Sequence, residues 1–336
     1  MRVWCWLILL LWLGGCSQPQ VWSQQSFVFG TRVDIAISGV SQARAQAVTA
    51  RILARFDQLH HQLHAWQPGG ELYRLNSAFA AGQRVPVSPW LAGILQDATQ
   101  YSAQSGGSFN PAIGRLIQLW GFEADEFVAR LPAQASIDQL VAAHPVMQDI
   151  VIRNGMAESR NRMVKVDLGG YGKGYALDEA AKILRGAGIH DALVNIGGNI
   201  MAFGQHDNRP WRVGIQDPRR PKALATLELH DGEAIGTSGD YQRYFDLAGR
   251  RYCHIINPAT GWPAQGVEAV TVLIPPGPHA GVLSDVASKP PFIAGVQGWQ
   301  EAVRKMGVTT AMLIDDHGKV YMTPEMRKRL RFNNQD

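Results

Sequence analysis

Apolar residues recur three and four apart at Val48, Ile52, Phe56, Leu59 and Leu63, the spacing of one buried helical face, and Ser41 stands where that helix needs an N-cap. Before it, Val33, Ile35 and Ile37 alternate with polar or small residues, which predicts a first strand over Phe27–Ser38. Shorter helical patterns follow at Glu71–Asn76, from Ser88-Pro89 to about Ser102, and at Ala112–Trp120. Ser136 with Gln139 reads as a capping box for a helix to about Ala143. Asp149–Arg153 and Met163–Leu168 read as strands, with a hairpin across Asn154-Gly155. Beyond residue 190 the pattern turns mostly to strands: Ala192–Ile196, Ile200–Gly204, Trp211–Gln216, Ala225–Leu229 and Ala234–Thr237. Hairpins are expected around Ala248-Gly249 and over Asp316-His317-Gly318, and Val267–Ile274 is a β-branched strand. A helix from about His279 should stop by Lys289, because Pro290 and Pro291 follow. Trp299–Met306 reads as helical. Meanders with scattered helices, rather than alternating strand and helix, predict an α+β fold.

The stretch with most chemistry runs from Val166 to Asp178. An apolar run ends in a turn holding Gly169, Gly170, Gly172 and Gly174, and a helical face follows with Ala176, Leu177, Ala180, Ile183 and Leu184. Strand, glycine turn and helix together offer backbone N–H groups to a phosphate, and Lys173 adds a cation. It is neither a P-loop, since Gly174 rather than Ser or Thr follows Lys173, nor a dinucleotide fingerprint, since the glycine spacing is wrong. An ordinary tight turn would read the same way.

Composition narrows the classes. The 336 residues are 46% hydrophobic and 18% charged, which suits a globular chain with a full core. The formal net charge is +4, without a basic run interleaved with aromatics, so nucleic acid is not an expected partner. Residues 1–15 read as a signal segment: Arg2, then an apolar run Val3–Trp12 too short to span a bilayer. Leu13-Gly14-Gly15-Cys16 looks like a bacterial lipobox, which implies lipidation of Cys16 and an envelope lipoprotein facing the periplasm. Residues 16–26 then form a tether, 27–325 the domain and 326–336 a basic tail. Cys5 lies in the signal segment, so Cys253 has no intramolecular disulfide partner and is expected in the core. His60, His61 and His64 suit a helix C-terminus.

Eight stretches in order resemble the FAD:protein FMN transferases, the ApbE family. They are Gly30-Thr31, Glu71–Asn76, Phe109-Asn110-Pro111 with Leu119–Phe122, Val166–Asp178, Asn195–Asn199, Thr237–Tyr241, His254–Pro258 with Thr260-Gly261 and Pro263, and Ser284-Asp285. The resemblance spans about Phe27 to Met322. It implies a single T-fold-like domain of antiparallel sheets with flanking helices. It also implies an enzyme that moves FMN from FAD onto a Thr or Ser hydroxyl of an acceptor flavoprotein, with release of AMP. Acceptors in such a family are subunits of membrane electron-transfer complexes, which a lipid anchor would suit. FAD hydrolysis by the same site, or FAD binding without turnover, are the alternatives.

By that resemblance His254 and Asp285 are catalytic, with His254 the candidate general base because an imidazole titrates near neutrality. Asp167, Gly170, Lys173, Phe109, Asn110, Ser238, Tyr241, His254 and Ile255 would contact FAD. Mg2+ would be held by the backbone at Gly170 and the carboxylate of Asp285. The family pattern has Asp where Asn110 and Asn257 stand, and a Thr ligand where Lys289 stands, with Ser288 beside it. Three arrangements answer that last departure. Ser288 supplies the oxygen, Lys289 supplies its own charge to the phosphate, or FAD is bound without turnover.

Overall fold

The computed structural model describes residues 20–124 and 126–332. The signal segment and Cys16 lie outside the described residues. The chain opens with an antiparallel hairpin, β1 (Trp22–Val28) and β2 (Thr31–Ser38). The single strand expected over Phe27–Ser38 is therefore broken, because Phe29 and Gly30 take positive φ (57° and 66°) and reverse the chain. The tether expected over 16–26 also ends early, since β1 begins at Trp22.

Helix α1 (Gln42–Leu63) starts at Ser41, whose Oγ accepts from Arg44 N, and buries the expected stripe. Next come α2 (Glu71–Ala81), β3 (Val85–Pro86), α3 (Pro89–Gln104), α4 (Gly114–Leu119) and α5 (Gln134–Ala142). The N-cap of α5 is Ala133 and no side chain caps it, so Ser136 and Gln139 do not form the expected box. The turn at Asn154-Gly155 does join a hairpin, but of β4 (Ile150–Arg153) with β5 (Met156–Ser159). Met163–Leu168 is not a strand. It runs extended with one bridge, Ile113 to Lys165, and its place beside a partner is taken by a side chain. The buried Asn76 amide donates to Val166 O (2.9 Å) and accepts from Val166 N (2.7 Å), the pair of bonds a strand neighbour would make.

The remaining elements are α6 (Gly172–Gly186), β6 (Asp191–Ile196), β7 (Asn199–Phe203), β8 (Trp211–Gln216), β9 (Ala223–Leu229), β10 (Ala234–Gly239), β11 (Tyr244–Leu247), β12 (Arg250–Cys253) and β13 (Val267–Ile274). Then follow α7 (Ala280–Ala287), α8 (Lys289–Lys305), β14 (Thr310–Asp315), β15 (Val320–Met322), α9 (Pro324–Arg329) and β16 (Leu330–Phe332). Helix α7 stops at Ala287, as expected ahead of Lys289, and Pro290 and Pro291 belong to a new helix. They occupy the first turn of α8, where a missing N–H loses nothing, and the chain bends again at Gly295 (φ 67°).

One sheet of eight strands, ordered β1-β2-β6-β7-β10-β13-β14-β15 and antiparallel at each pairing, divides the molecule. Strand β13 shows how the layers form. Val270, Val272 and Ile274 join the core shared with α1, α6, α7 and α8, while Ala269 and Leu273 join a second core. That second core is closed by the sheet β16-β9-β8. The described part of the expected basic tail, up to Phe332, is structured: Arg329 makes paired bonds to the Glu233 carboxylate (2.8 and 2.7 Å) and anchors β16. No helix among the described residues is long and apolar enough to cross a membrane.

Candidate active site

Two helices meet back to back where the glycine turn ends. A Cβ at Gly174 would lie 2.3 Å from Gly281 O, and one at Gly281 would lie 2.4 Å from Gly174 O, so α6 and α7 touch backbone to backbone. Asp178 fixes the approach, its two carboxylate oxygens accepting from Gly281 N (2.9 Å) and Val282 N (3.0 Å). This contact brings Asp285, fully buried on α7, against the start of α6, where its Oδ2 accepts from Gly174 N at 3.0 Å.

Two ammoniums share that carboxylate. Lys289, one turn further on, donates to Asp285 Oδ1 in a very short bond and to Asp285 O at 2.6 Å. Lys173 Nζ lies 3.9 Å from the same Oδ1. Burial alone would favour the neutral acid, but Lys173, Lys289 and the Gly174 N–H outweigh it and hold the Asp285 carboxyl well below the usual range. Burial lowers the Lys289 ammonium from its ordinary value, opposed by Asp285.

Lys173 and Lys289 face a cavity of about 850 Å³, floored by Gly169, Gly170 and Gly172 and walled by Phe109, Tyr241 and His254. Gly170 N–H makes no hydrogen bond within the described residues, so it is a donor available to a ligand. His254 follows β12. Its Nδ1 stands 3.2 Å from Arg243 O, and a carbonyl only accepts, so Nδ1 carries the proton and Nε2 keeps its lone pair. Burial, with Arg243, Lys173 and Lys289 nearby, pushes the imidazole down to about 3. The near-neutral titration expected of His254 therefore does not hold in the ligand-free protein. Cys253, facing the other way on the strand, is buried with its thiol pushed up to about 12, which fits a core residue.

The other expected residues divide by what their polar groups do. Asp167 lines the cavity while its Oδ1 accepts from Gly169 N (2.7 Å), shaping the turn. Asn110 also lines it, but its amide donates to Pro145 O (2.9 Å) and accepts from Ala112 N (3.0 Å), a bracing role that a carboxylate could not fill on the donor side. Ile255 contributes apolar wall, and Tyr241 folds over Gly239, where a Cβ would come within 2.3 Å of the ring. Ser238 lines the cavity with its hydroxyl committed to Ser288 Oγ at 2.7 Å. Asp285 and Ser288 are fully buried behind the wall and do not line the cavity. Sequence reading did not single out Arg243, which lines the cavity and orients His254 through its carbonyl. Its only signal is its place eleven residues before His254, at the start of a hairpin. Glu71 and Asn76, part of the family pattern, turn out to brace the scaffold, Glu71 by accepting from Ser88 N and Oγ.

These residues do not fit a divalent cation. The buried carboxylate that would bind one already carries the Lys289 ammonium, which has no lone pair to offer. Ser288 Oγ is turned to Ser238 and Asp285 O (2.8 Å). Among the described residues no group of three or more His, Cys, Asp or Glu side chains is placed to hold a metal.

The ApbE family model matches residues 29–313. The chain is 42% identical over 308 residues to a FAD:protein FMN transferase of Rhodobacter capsulatus, covering 92% of this chain and 58% of that protein's length. It is 30% identical to a FAD:protein FMN transferase of Klebsiella pneumoniae, covering 89% of this chain and 86% of that one. The ApbE protein of Thermotoga maritima superposes with a TM-score of 0.84 at 27% identity, over 93% of this chain and all of that one. The Pseudomonas stutzeri flavinyl transferase ApbE gives 0.79 at 25% identity, over 95% and 99%.

Proposed function

Because the chain belongs to the ApbE family, we propose that it is an FAD:protein FMN transferase, taking FAD as substrate and attaching its FMN half to a Thr or Ser hydroxyl of an acceptor flavoprotein. The observation that carries this reading is one cavity, large enough for a dinucleotide, that holds two ammoniums at a glycine turn and a neutral imidazole. Phosphoryl-type transfer asks little covalent chemistry of a protein. It asks for charge on the pyrophosphate and a base for the incoming hydroxyl.

Lys173, Lys289 and the Gly170 N–H supply the first. His254 supplies the second, since Nδ1–H on Arg243 O leaves Nε2 to accept the hydroxyl proton as the FMN–phosphate bond to AMP breaks. An anionic pyrophosphate entering beside the two lysines offsets their repulsion of imidazolium and raises the basicity of His254 in the complex.

The lipobox-like Leu13–Cys16 supports an envelope lipoprotein facing the periplasm, and with it an acceptor in a membrane electron-transfer complex. Cys16→Ser should move the protein from the membrane to the soluble fraction on cell fractionation, and retention of the variant in membranes would remove that anchor. For the activity, co-expression with a periplasmic electron-transfer subunit bearing a candidate Thr should leave flavin fluorescence on the acceptor band in a denaturing gel. The band should be dark with His254→Gln. An acceptor that stays dark while the chain purifies with intact FAD would favour a binding protein.

A further inference from the structure

We propose that Lys289 is this site's own cation, its ammonium taking the dinucleotide's pyrophosphate directly where a divalent metal would otherwise stand. The inference rests on the transferase reading above. Its support is a seat built for that ammonium. Asp285 is wholly buried, holds no other ionic partner as close as Lys289, and is itself oriented by Gly174 N–H. The lysine stem crosses Gly170, where a Cβ would come within 3.1 Å of Lys289 Cε. The glycine turn is thus shaped around the lysine as well as around a ligand.

Two of the three ammonium donors go to Asp285, by its Oδ1 and its backbone O, and the side chain reaches the cavity wall. The third N–H is left for an oxygen in the cavity. Charge balance points the same way. Lys173 and Lys289 set two ammoniums against the Asp285 carboxylate, and the two negative charges of a dinucleotide pyrophosphate would meet them there. A divalent ion added there would face both ammoniums at close range in a buried site, where repulsion is weakly screened.

The step balances without a metal. The acceptor hydroxyl oxygen bonds to the FMN phosphorus and its proton passes to His254 Nε2. The bond from that phosphorus to the bridging oxygen breaks, and the electron pair stays on AMP. Lys289 keeps its proton throughout and donates a hydrogen bond to the pyrophosphate. Asp285 is a positioning residue, acting through the lysine.

The test uses the full chain with FAD and an acceptor subunit, in EDTA and in Mg2+, reading FAD affinity by flavin fluorescence before the acceptor is added and AMP release by chromatography afterwards. Affinity and release should each agree within about twofold between the two media. Asp285→Asn/Lys289→Met removes the buried pair together and leaves only the partly exposed Lys173 without the carboxylate. That double variant should keep its circular dichroism spectrum and bind FAD about tenfold or more weakly in both media, as expected for losing a charge-assisted contact. Lys289→Arg, which keeps the charge, should retain more affinity than the double variant. Loss of binding or release in EDTA with recovery in Mg2+ would overturn the proposal, as would a folded double variant that binds FAD like the parent. If no AMP forms under any condition, the transferase reading fails, and the FAD affinities still decide the role of Lys289.

Discussion

His254 carries the clearest residue-scale consequence. In the free protein its imidazole is held down to about 3, so it is already neutral across the range in which an ordinary histidine titrates. The pH profile of kcat/KM reports groups of the free enzyme. It should therefore be flat from about pH 5.5 to 8 where His254 is concerned, with no loss on passing below the usual histidine value near 6.5. A clear inflection there, abolished by His254→Gln, would contradict the environment described for this ring. The same residue shows what sequence could and could not give. The motif around His254 marked it as a site residue, but its proton affinity depends on its burial and on Arg243, Lys173 and Lys289, which only the fold supplies. Likewise Asn110 was legible as part of the site, while the reason its amide is not a carboxylate lies in Pro145 O, thirty-five residues away.

At the scale of elements the site depends on α6 and α7 meeting at Gly174 and Gly281. Gly174→Ala tests the balance of two effects. Helix propensity alone would favour alanine by about 1 kcal/mol. A Cβ 2.3 Å from the Gly281 carbonyl must instead push two backbones apart, so a net loss of about 2–3 kcal/mol is expected in urea unfolding, with FAD binding weakened because Asp285 moves too. Asn76→Ala should cost about 2–3 kcal/mol, since it strands the buried N–H and C=O of Val166.

Elements with a long periodic stripe, such as α1, were legible from spacing alone. Those decided by one residue were not. Phe29 at positive φ splits one apparent strand into a hairpin, Asn76 substitutes for a strand beside Met163–Leu168, and the prolines that follow the expected stop of α7 also open a second helix at Lys289. Proline gives the same local signal whether it follows a helix or opens one, so only the packing of Phe292 into the core distinguishes the two.

At the scale of the whole molecule, a central sheet separates the helical core from a smaller second core, and the cavity is lined from both, by Phe109 and Leu168 of the first and Ile200 and Ile215 of the second. The last strand is tied in by Arg329 on Glu233. Burial would raise the Glu233 carboxyl, but Arg329 and His230 N–H hold it below its ordinary value. A depressed carboxyl contributes stability that is fully present above about 4.5 and is lost as pH falls through the folded value. Arg329→Ala should therefore lower stability by about 1–2 kcal/mol at pH 7, less than for a sealed pair because Arg329 is partly exposed, and the gap to the parent should close as the pH is lowered toward 3. A gap independent of pH would assign Arg329 a packing role instead.

The cavity is where the whole architecture converges on one reaction, and its stoichiometry is the most direct probe. Incubating the purified chain with FAD and an acceptor subunit, then counting AMP released and FMN attached by intact mass, should give one AMP for each FMN on the acceptor. His254→Gln should give neither. AMP released in large excess over attached FMN would make water the true acceptor, and FAD recovered intact with an unmodified acceptor would contradict transfer altogether.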